Sequence, residues 1–300
     1  MTTNDVLPFV AAPVADVAAA TDLAGRAAHA WGLPEPTLLR VGMNALFAAG
    51  DDVVVRVGRP TGAAVSAPRL AVFLADAGLR VPRYLYPDPM EDDGLVAWAV
   101  RREPVEGEVD WAEVGEMVAR LHRIDPARVR GLHPLPAASA FPWWQFDRLL
   151  ADVDDLLDPA ARQGITTALE QHGDWAHRGA ALVLCHGDVH PGNVVNTAQG
   201  AVLLDWDLLC TGPAAWDHAP LMTWTQRWGG AAGLYEAFAA GYGRSMRGDN
   251  VAEAVATLRL VAATLMRLRA GRHDEAARDE AERRLRWWRG DTDAPPWHAQ

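Results

Sequence analysis

Lysine is absent, and all 28 cationic side chains other than histidine are arginine. Chemistry that needs a side-chain amine, as a nucleophile or in a Schiff base, is thereby excluded. Serine is scarce: only Ser66, Ser139 and Ser245 occur, and none lies in a Gly-x-Ser-x-Gly turn. The two cysteines, Cys185 and Cys210, cannot build a disulfide framework and point to a reducing compartment. Cys185, His186 and His190 lack the second cysteine pair or the His-Glu-x-x-His spacing of a zinc site. Basic charge is outweighed by 39 acids, giving a net charge of −11. That balance argues against nucleic acid or an anionic membrane as partner and agrees with a cationic one. No apolar run reaches the roughly 20 residues of a membrane span. The N-terminus lacks a charged-then-apolar signal pattern, so a cytoplasmic protein is expected.

What the chain does have is one informative stretch, residues 182 to 207. Val183 and Leu184 lead as a strand into a loop at His186, and Val194 and Val195 leave it as another. Ala198-Gln199-Gly200 turns the chain, and Ala201 to Leu204 return to Asp205. Asp188, Asn193 and Asp205 are thus expected at strand ends of one hairpin. Kinase chemistry needs a carboxylate to orient the attacking hydroxyl, and a carboxylate with an amide oxygen to hold Mg²⁺. His186-Gly187-Asp188 followed by Asn193 fits the kinase spacing His-x-Asp-x-x-x-x-Asn.

The Gly after that His, and the Trp after the later Asp, make the stretch similar to the aminoglycoside phosphotransferase family. That family of small-molecule kinases includes enzymes for choline, homoserine, methylthioribose, macrolides and other small hydroxyl compounds. The resemblance runs from about Leu39 to the final helices. It implies an α+β, bilobal, protein-kinase-like fold. Residues 1–106 would form an N-lobe with a small antiparallel sheet, and residues 107–300 a mainly helical C-lobe. It also implies ATP or GTP and Mg²⁺ as cofactors, with Asp188 catalytic and Asn193 and Asp205 on the metal. His186 and Asp217 would brace the loop, and Asp207 would face metal or substrate. With Gly187 in place of the arginine that senses a phosphorylated loop in protein kinases, activity is expected to be constitutive.

Residues 1 to 13 are punctuated by proline and expected to be loosely held. Asp16 to Trp31 reads as an alanine-rich helix stopped by Gly32 and Pro34. Strands follow over Leu38–Val41, Leu46–Ala49 and Val53–Val57, with turns at Gly42 and at Gly50-Asp51-Asp52. By resemblance, Gly42 and Asn44 belong to the turn that covers the nucleotide. Arg56 stands where the family grips phosphate, a task a guanidinium can perform in bidentate fashion. Kinases pair this cation with a Glu on the next helix, yet residues 59 to 75 contain no acid. Either Asp76 reaches back or phosphate alone orients Arg56. Val81–Leu85 and Leu95–Val100 are expected to complete the sheet.

Beyond a hinge at 101–107, Asp110 and Glu113 suggest a capped helix ending at Leu121-His122. Trp143 to Leu157 reads as one helix, with Asp152, Asp154, Asp155 and Asp158 on its polar side. A charge run is usually a solvated face. The family's acid-lined clefts nonetheless make Asp152 and Asp155 candidates for a cationic acceptor. Asp158-Pro159 starts a further helix. Helices are expected over 214–228, 232–242, 251–271 and 274–288, with the late tryptophans packing. The expected activity is O-phosphorylation of a small hydroxyl compound, an aminoglycoside-like cationic antibiotic first and an amino alcohol next. A nucleotide-binding protein with little transfer activity is the alternative, and a monomer or homodimer is expected.

Overall fold

A computed structural model describes residues 14, 16–60 and 62–298; the proline-punctuated stretch 1–13 lies outside them. Helix α1 (Val17–Ala30) is capped by Asp16, whose Oδ1 accepts from Ala19 N–H at 2.9 Å. Strands β1 (Thr37–Val41), β2 (Ala45–Ala48) and β3 (Val53–Gly58) follow, then α2 (Ser66–Asp76), β4 (Met90–Asp92) and β5 (Leu95–Arg101). Next come α3 (Trp111–Leu121), α4 (Phe146–Val153), α5 (Pro159–His172) and β6 (Leu182–Cys185). After β7 (Val194–Thr197), β8 (Gly200–Leu203) and β9 (Cys210–Pro213), the chain ends in four helices. These are α6 (Ala215–Arg227), α7 (Leu234–Tyr242), α8 (Asn250–Ala270) and α9 (Glu275–Trp288).

By internal contacts the chain divides into two compact units. One holds the described residues up to Asp110, with Asp125–Pro136 and Val194–Leu209; the other holds Trp111–Ile124, Ala137–Asn193 and the chain from Cys210 onward. The chain therefore passes between the units several times.

The first unit carries an antiparallel sheet in the order β1-β2-β3-β5-β4. Its core lies between the sheet and α1, with Leu23, Ala27, Phe47, Val55, Val57 and Ala97 buried together. The two-residue period of a strand sends Val55 and Val57 into that core and turns Arg56 to the opposite face. The expected strand over 81–85 is not there; Tyr84 makes only an isolated bridge to Val100. Pro82 has no N–H to give a ladder. The edge position goes instead to β4, joined to β5 by Asp93 and Gly94 with φ of 44° and 73°. Asp-Gly with both residues left-handed is a preferred hairpin turn.

The second unit is helical around α8. Leu149, Val153, Ile165, Val261, Leu265 and Leu285 from α4, α5, α8 and α9 share one core, closed by Trp288 and Trp297. The helix expected over 143–157 is broken: short 3-10 turns at Pro142–Trp144 and Asp154–Leu156 flank α4. Asp158 caps α5 through Ala160 N–H and Ala161 N–H, both at 3.0 Å. The residue 182–207 stretch also departs from a single hairpin. β7 pairs with β8, whereas β6 pairs with β9.

Candidate functional site

His186, Gly187 and Asp188 leave β6 as a loop whose backbone is held by one buried carboxylate. Asp217, in the first turn of α6 and fully buried, accepts from His186 N–H at 2.9 Å and from Gly187 N–H at 2.8 Å. The same carboxylate meets His122 Nε2 at 3.0 Å, and His122 Nδ1 meets the Tyr242 hydroxyl at 2.9 Å. Burial would raise the Asp217 pKa. His122, His186 and the Gly187 N–H outweigh it and hold the group below the ordinary carboxylate range. Gly187 has φ of 95°, a conformation that disfavours the arginine of protein kinases.

Asp188 follows, with its side chain 29% exposed. Its Oδ1 accepts from Arg259 Nη2 at 2.7 Å. Its Oδ2 lies 3.3 Å from His190 Nε2 and 3.3 Å from Asn193 Nδ2. Burial pushes the Asp188 pKa up, but His190, Arg259 and His186 overcome it, so the carboxyl lies far below its usual range. His190 Nδ1 accepts from Gly192 N–H at 3.0 Å, which leaves Nε2 to carry hydrogen toward Asp188. The His190 ring stacks on Trp224 at 5.3 Å and 10°. Asn193 Nδ2 also donates to the Asp188 carbonyl at 3.0 Å. With its nitrogen so committed, the Asn193 amide can offer its oxygen to a cation.

Arg56 organises a second cluster, within the first unit. Its guanidinium pairs with Asp207 and lies 3.6 Å from Asp205 Oδ1. With the Asn44 amide oxygen turned toward it, Arg56 Nη2 and Nε donate there at 2.7 and 3.3 Å. The guanidinium lies over the Trp98 ring, 5.6 Å from its centre. Burial lowers the Arg56 pKa, but Asp207 and Asp205 raise it more. Tyr84 beside it is pushed up to about 12, by burial first. A Cβ at Gly58 would stand 1.9 Å from the Asn44 amide, so glycine there makes room for that side chain. Gly42 closes the preceding turn through its N–H to the Asn44 carbonyl at 3.0 Å.

Neither sequence expectation for orienting Arg56 describes this arrangement: the acid comes from Asp207, with Asp205 behind it. On α2, the helix that follows β3, the Ser66 hydroxyl meets buried His133 Nδ1 at 3.1 Å. Arg56, Ser66, His133 and Asp207 line a cavity of about 20 Å³, room for one water. Asp205 has φ of 57° and a side chain 47% exposed. Its carboxylate and the Asn193 oxygen are hard donors of the kind Mg²⁺ prefers.

Asp152 and Asp155 are held by arginines. Arg272 Nη2 meets Asp155 Oδ1 at 2.5 Å, and Arg269 lies 3.8 Å from Asp152 Oδ2. Asp154 pairs with Arg162, and Asp158 with Arg289 at 2.9 Å. Sequence reasoning missed Arg259 altogether: it is 71 residues from Asp188 and sits in no motif. Cys185 is buried at its strand end, as expected.

Solved structures share this fold. A GDP and kanamycin complex of APH(2")-IIia aligns with TM-score 0.67 and 16% identity, over 87% of this chain and 94% of that one. Spectinomycin phosphotransferase APH(9)-Ia, with ADP and spectinomycin, aligns with TM-score 0.63 and 14% identity, covering 87% and 90%. A choline/ethanolamine kinase family protein from Mesorhizobium loti aligns with TM-score 0.60 and 18% identity, covering 87% and 88%. No curated protein matches the sequence significantly. The model of the phosphotransferase enzyme family matches residues 44–254, a span that includes Arg56, the Asp188 loop and Asp205-Trp206-Asp207. With its α+β, kinase-like architecture, the chain belongs to the phosphotransferase enzyme family.

Proposed function

We propose that the protein transfers the γ-phosphate of ATP or GTP to a hydroxyl of a small molecule. The observation that carries this reading is the Asp188 carboxylate, partly exposed on a loop whose backbone is pinned by Asp217. Asp188 accepts a hydrogen bond from the acceptor hydroxyl and aims its oxygen at the γ-phosphorus. The O–P bond forms as the bond to the leaving diphosphate breaks. The hydroxyl proton passes to Asp188 late, because the transition state is loose and positioning outweighs basicity. A carboxyl held ionised suits that role. Arg56 grips nucleotide phosphate while Asp207 and Asn44 fix its direction. Mg²⁺ held by Asn193 and Asp205 would supply neutralising charge on the phosphates.

The acceptor we favour is a cationic, aminoglycoside-like antibiotic, so that the reaction would confer resistance. The net charge of −11 supports it. Relatives in fold were solved with kanamycin and with spectinomycin. An amino alcohol stands next, given the choline/ethanolamine kinase relative. A second reading, nucleotide binding with little transfer, draws on Arg56 being already engaged by Asn44, Asp205 and Asp207.

ATP and GTP consumption, measured with aminoglycosides, macrolides, tuberactinomycin peptides and amino alcohols, separates the two. Turnover with one acceptor supports the kinase. Tight nucleotide binding with no turnover supports the second reading. Asp188→Ala should abolish turnover and leave nucleotide affinity within about twofold, since the lost contact is to the acceptor. Near-normal transfer by that variant would remove Asp188 from the mechanism.

A further inference from the structure

Arg259 stands in the middle of α8, beyond the residues that the family model matches. Its guanidinium does two things with one edge. Nη2 donates to Asp188 Oδ1 at 2.7 Å, and Nη1 donates to the Gly187 carbonyl at 3.0 Å. It thereby holds both the carboxylate and the backbone that carries it. The guanidinium also lies over two indoles, with ring centres at 5.3 Å for Trp143 and 5.5 Å for Trp216. Trp216 is fully buried, Trp143 is 8% exposed, and the Arg259 side chain itself is 13% exposed. Aromatic faces of this kind attract a guanidinium and restrict its plane. Arg259 is therefore preset by packing.

The remaining partners of Asp188 complete the picture. Oδ2 faces His190 Nε2 and Asn193 Nδ2, so the carboxylate is held from both oxygens and cannot rotate freely. A carboxylate has about four acceptor positions, which leaves room for one more donor, the acceptor hydroxyl. The fixed positive charge has a second effect. The terminal phosphate and Asp188 are both anionic and must act on the same hydroxyl. A guanidinium bonded to Asp188 offsets their repulsion without taking the proton-accepting position.

Resting on the kinase reading above, we propose that Arg259 is a positioning residue for phosphoryl transfer. It aims the Asp188 carboxylate at the acceptor hydroxyl and balances its charge, and it has no part in nucleotide binding.

The test uses the full chain with Arg259→Ala and Arg259→Lys. Melting temperature and affinity for fluorescent ATP and GTP analogues are recorded first. Transfer to kanamycin, spectinomycin, choline and water is then measured. Lysine keeps the charge but, as a compact ammonium, cannot span both acceptors in the plane set by the indoles. Arg259→Ala should lower kcat about 10- to 100-fold, as for a displaced catalytic group, with the nucleotide KM within about twofold of wild type. Arg259→Lys should lose less, and added guanidinium should restore part of the alanine variant's rate. Wild-type kcat in the alanine variant overturns the proposal. So does a loss confined to nucleotide KM, or one that follows melting temperature and answers neither to lysine nor to guanidinium. If the alanine variant does not fold, Arg259→Lys decides: lower kcat at unchanged nucleotide KM supports the role, and unchanged kcat overturns it. A wild-type protein that turns over neither these acceptors, water included, nor any of the aminoglycosides, macrolides, tuberactinomycin peptides and amino alcohols named above removes the kinase reading and this role together.

Discussion

The two clusters solve the same problem, fixing a charged side chain, by different means. The Asp188 loop is fixed by a fully buried carboxylate that takes two backbone N–H groups. Arg56 is fixed by Asp205 and Asp207, whose side chains are 47% and 32% exposed. Backbone donors cannot move or titrate, and a buried acceptor has no water to replace a lost partner. A half-buried ion pair whose carboxylates still meet solvent tolerates more exchange, because water and other charges can substitute. The loop brace should therefore be intolerant of change and the Arg56 brace adjustable.

The largest effect should come from Asp217→Asn. One face of the new amide is a donor and would oppose a backbone N–H, leaving buried donors unpaired. A cost of about 3 kcal/mol in urea unfolding is expected, with kcat reduced at least about 100-fold as Asp188 loses its aim. A variant with wild-type stability and rate would erase the contrast between the clusters.

The neighbouring His218 gives the brace a pH signature. It is fully buried, meets the Tyr235 hydroxyl at 3.2 Å, and has Tyr242 edge-on at 4.3 Å. Burial, then the nearby His122, lowers its pKa to about 3. The unfolded chain takes up a proton near pH 6.5 and the folded chain does not. The stability contribution is thus full above about pH 6.5 and lost as pH falls toward 3, at up to about 1.4 kcal/mol per pH unit. Asp217 adds to the loss only lower down, below its unfolded value of about 3.9, because its folded pKa is depressed. Urea midpoints at pH 7, 6 and 5 should fall for wild type and fall less for His218→Gln, with His133 and His172, also lowered by burial, carrying the rest. Equal slopes would show that His218 takes up its proton in the fold as it does in the unfolded chain.

For the Arg56 cluster, Asp207→Ala should raise the nucleotide KM about tenfold, the worth of one charge-assisted hydrogen bond, with a smaller change in kcat. Ser66→Glu in that background should recover part of the loss, since Ser66 lines the same cavity as Arg56. Tighter nucleotide binding in Asp207→Ala would mean that Asp207 restrains Arg56, and would favour the binding-only reading.

What could be read from the sequence follows the same division. The strand–loop–strand around Asp188 and the last four helices were legible, because local periodicity and capping decide them. α8 was expected over 251–271 and runs Asn250–Ala270. β4 does carry a local signal in its Asp93-Gly94 turn, and Pro82 disfavours the strand expected over 81–85. Arg259 and the Arg56–Asp207 pair were not legible. They join residues 71 and 151 positions apart, and no local signal says which arginine among 28 a fold will bring to a carboxylate.

The smallest effect is expected at Asp155, and it bears on the acceptor. Asp155 meets Arg272 at 2.5 Å on an exposed face, and Arg272 also donates to the Asp152 carbonyl at 2.7 Å. A carboxylate already matched by arginine has little attraction left for an amine-rich substrate. Exposed pairs of this kind contribute little. Asp155→Ala should therefore leave kcat and acceptor KM within about twofold, with kanamycin and with choline alike. A KM that rises for kanamycin and not for choline would show that the acid cluster exchanges Arg272 for the substrate's amines. The polar face of α4 and the turn after it would then be the acceptor's cation-binding wall, and the exposed ion pairs would behave as a displaceable plug.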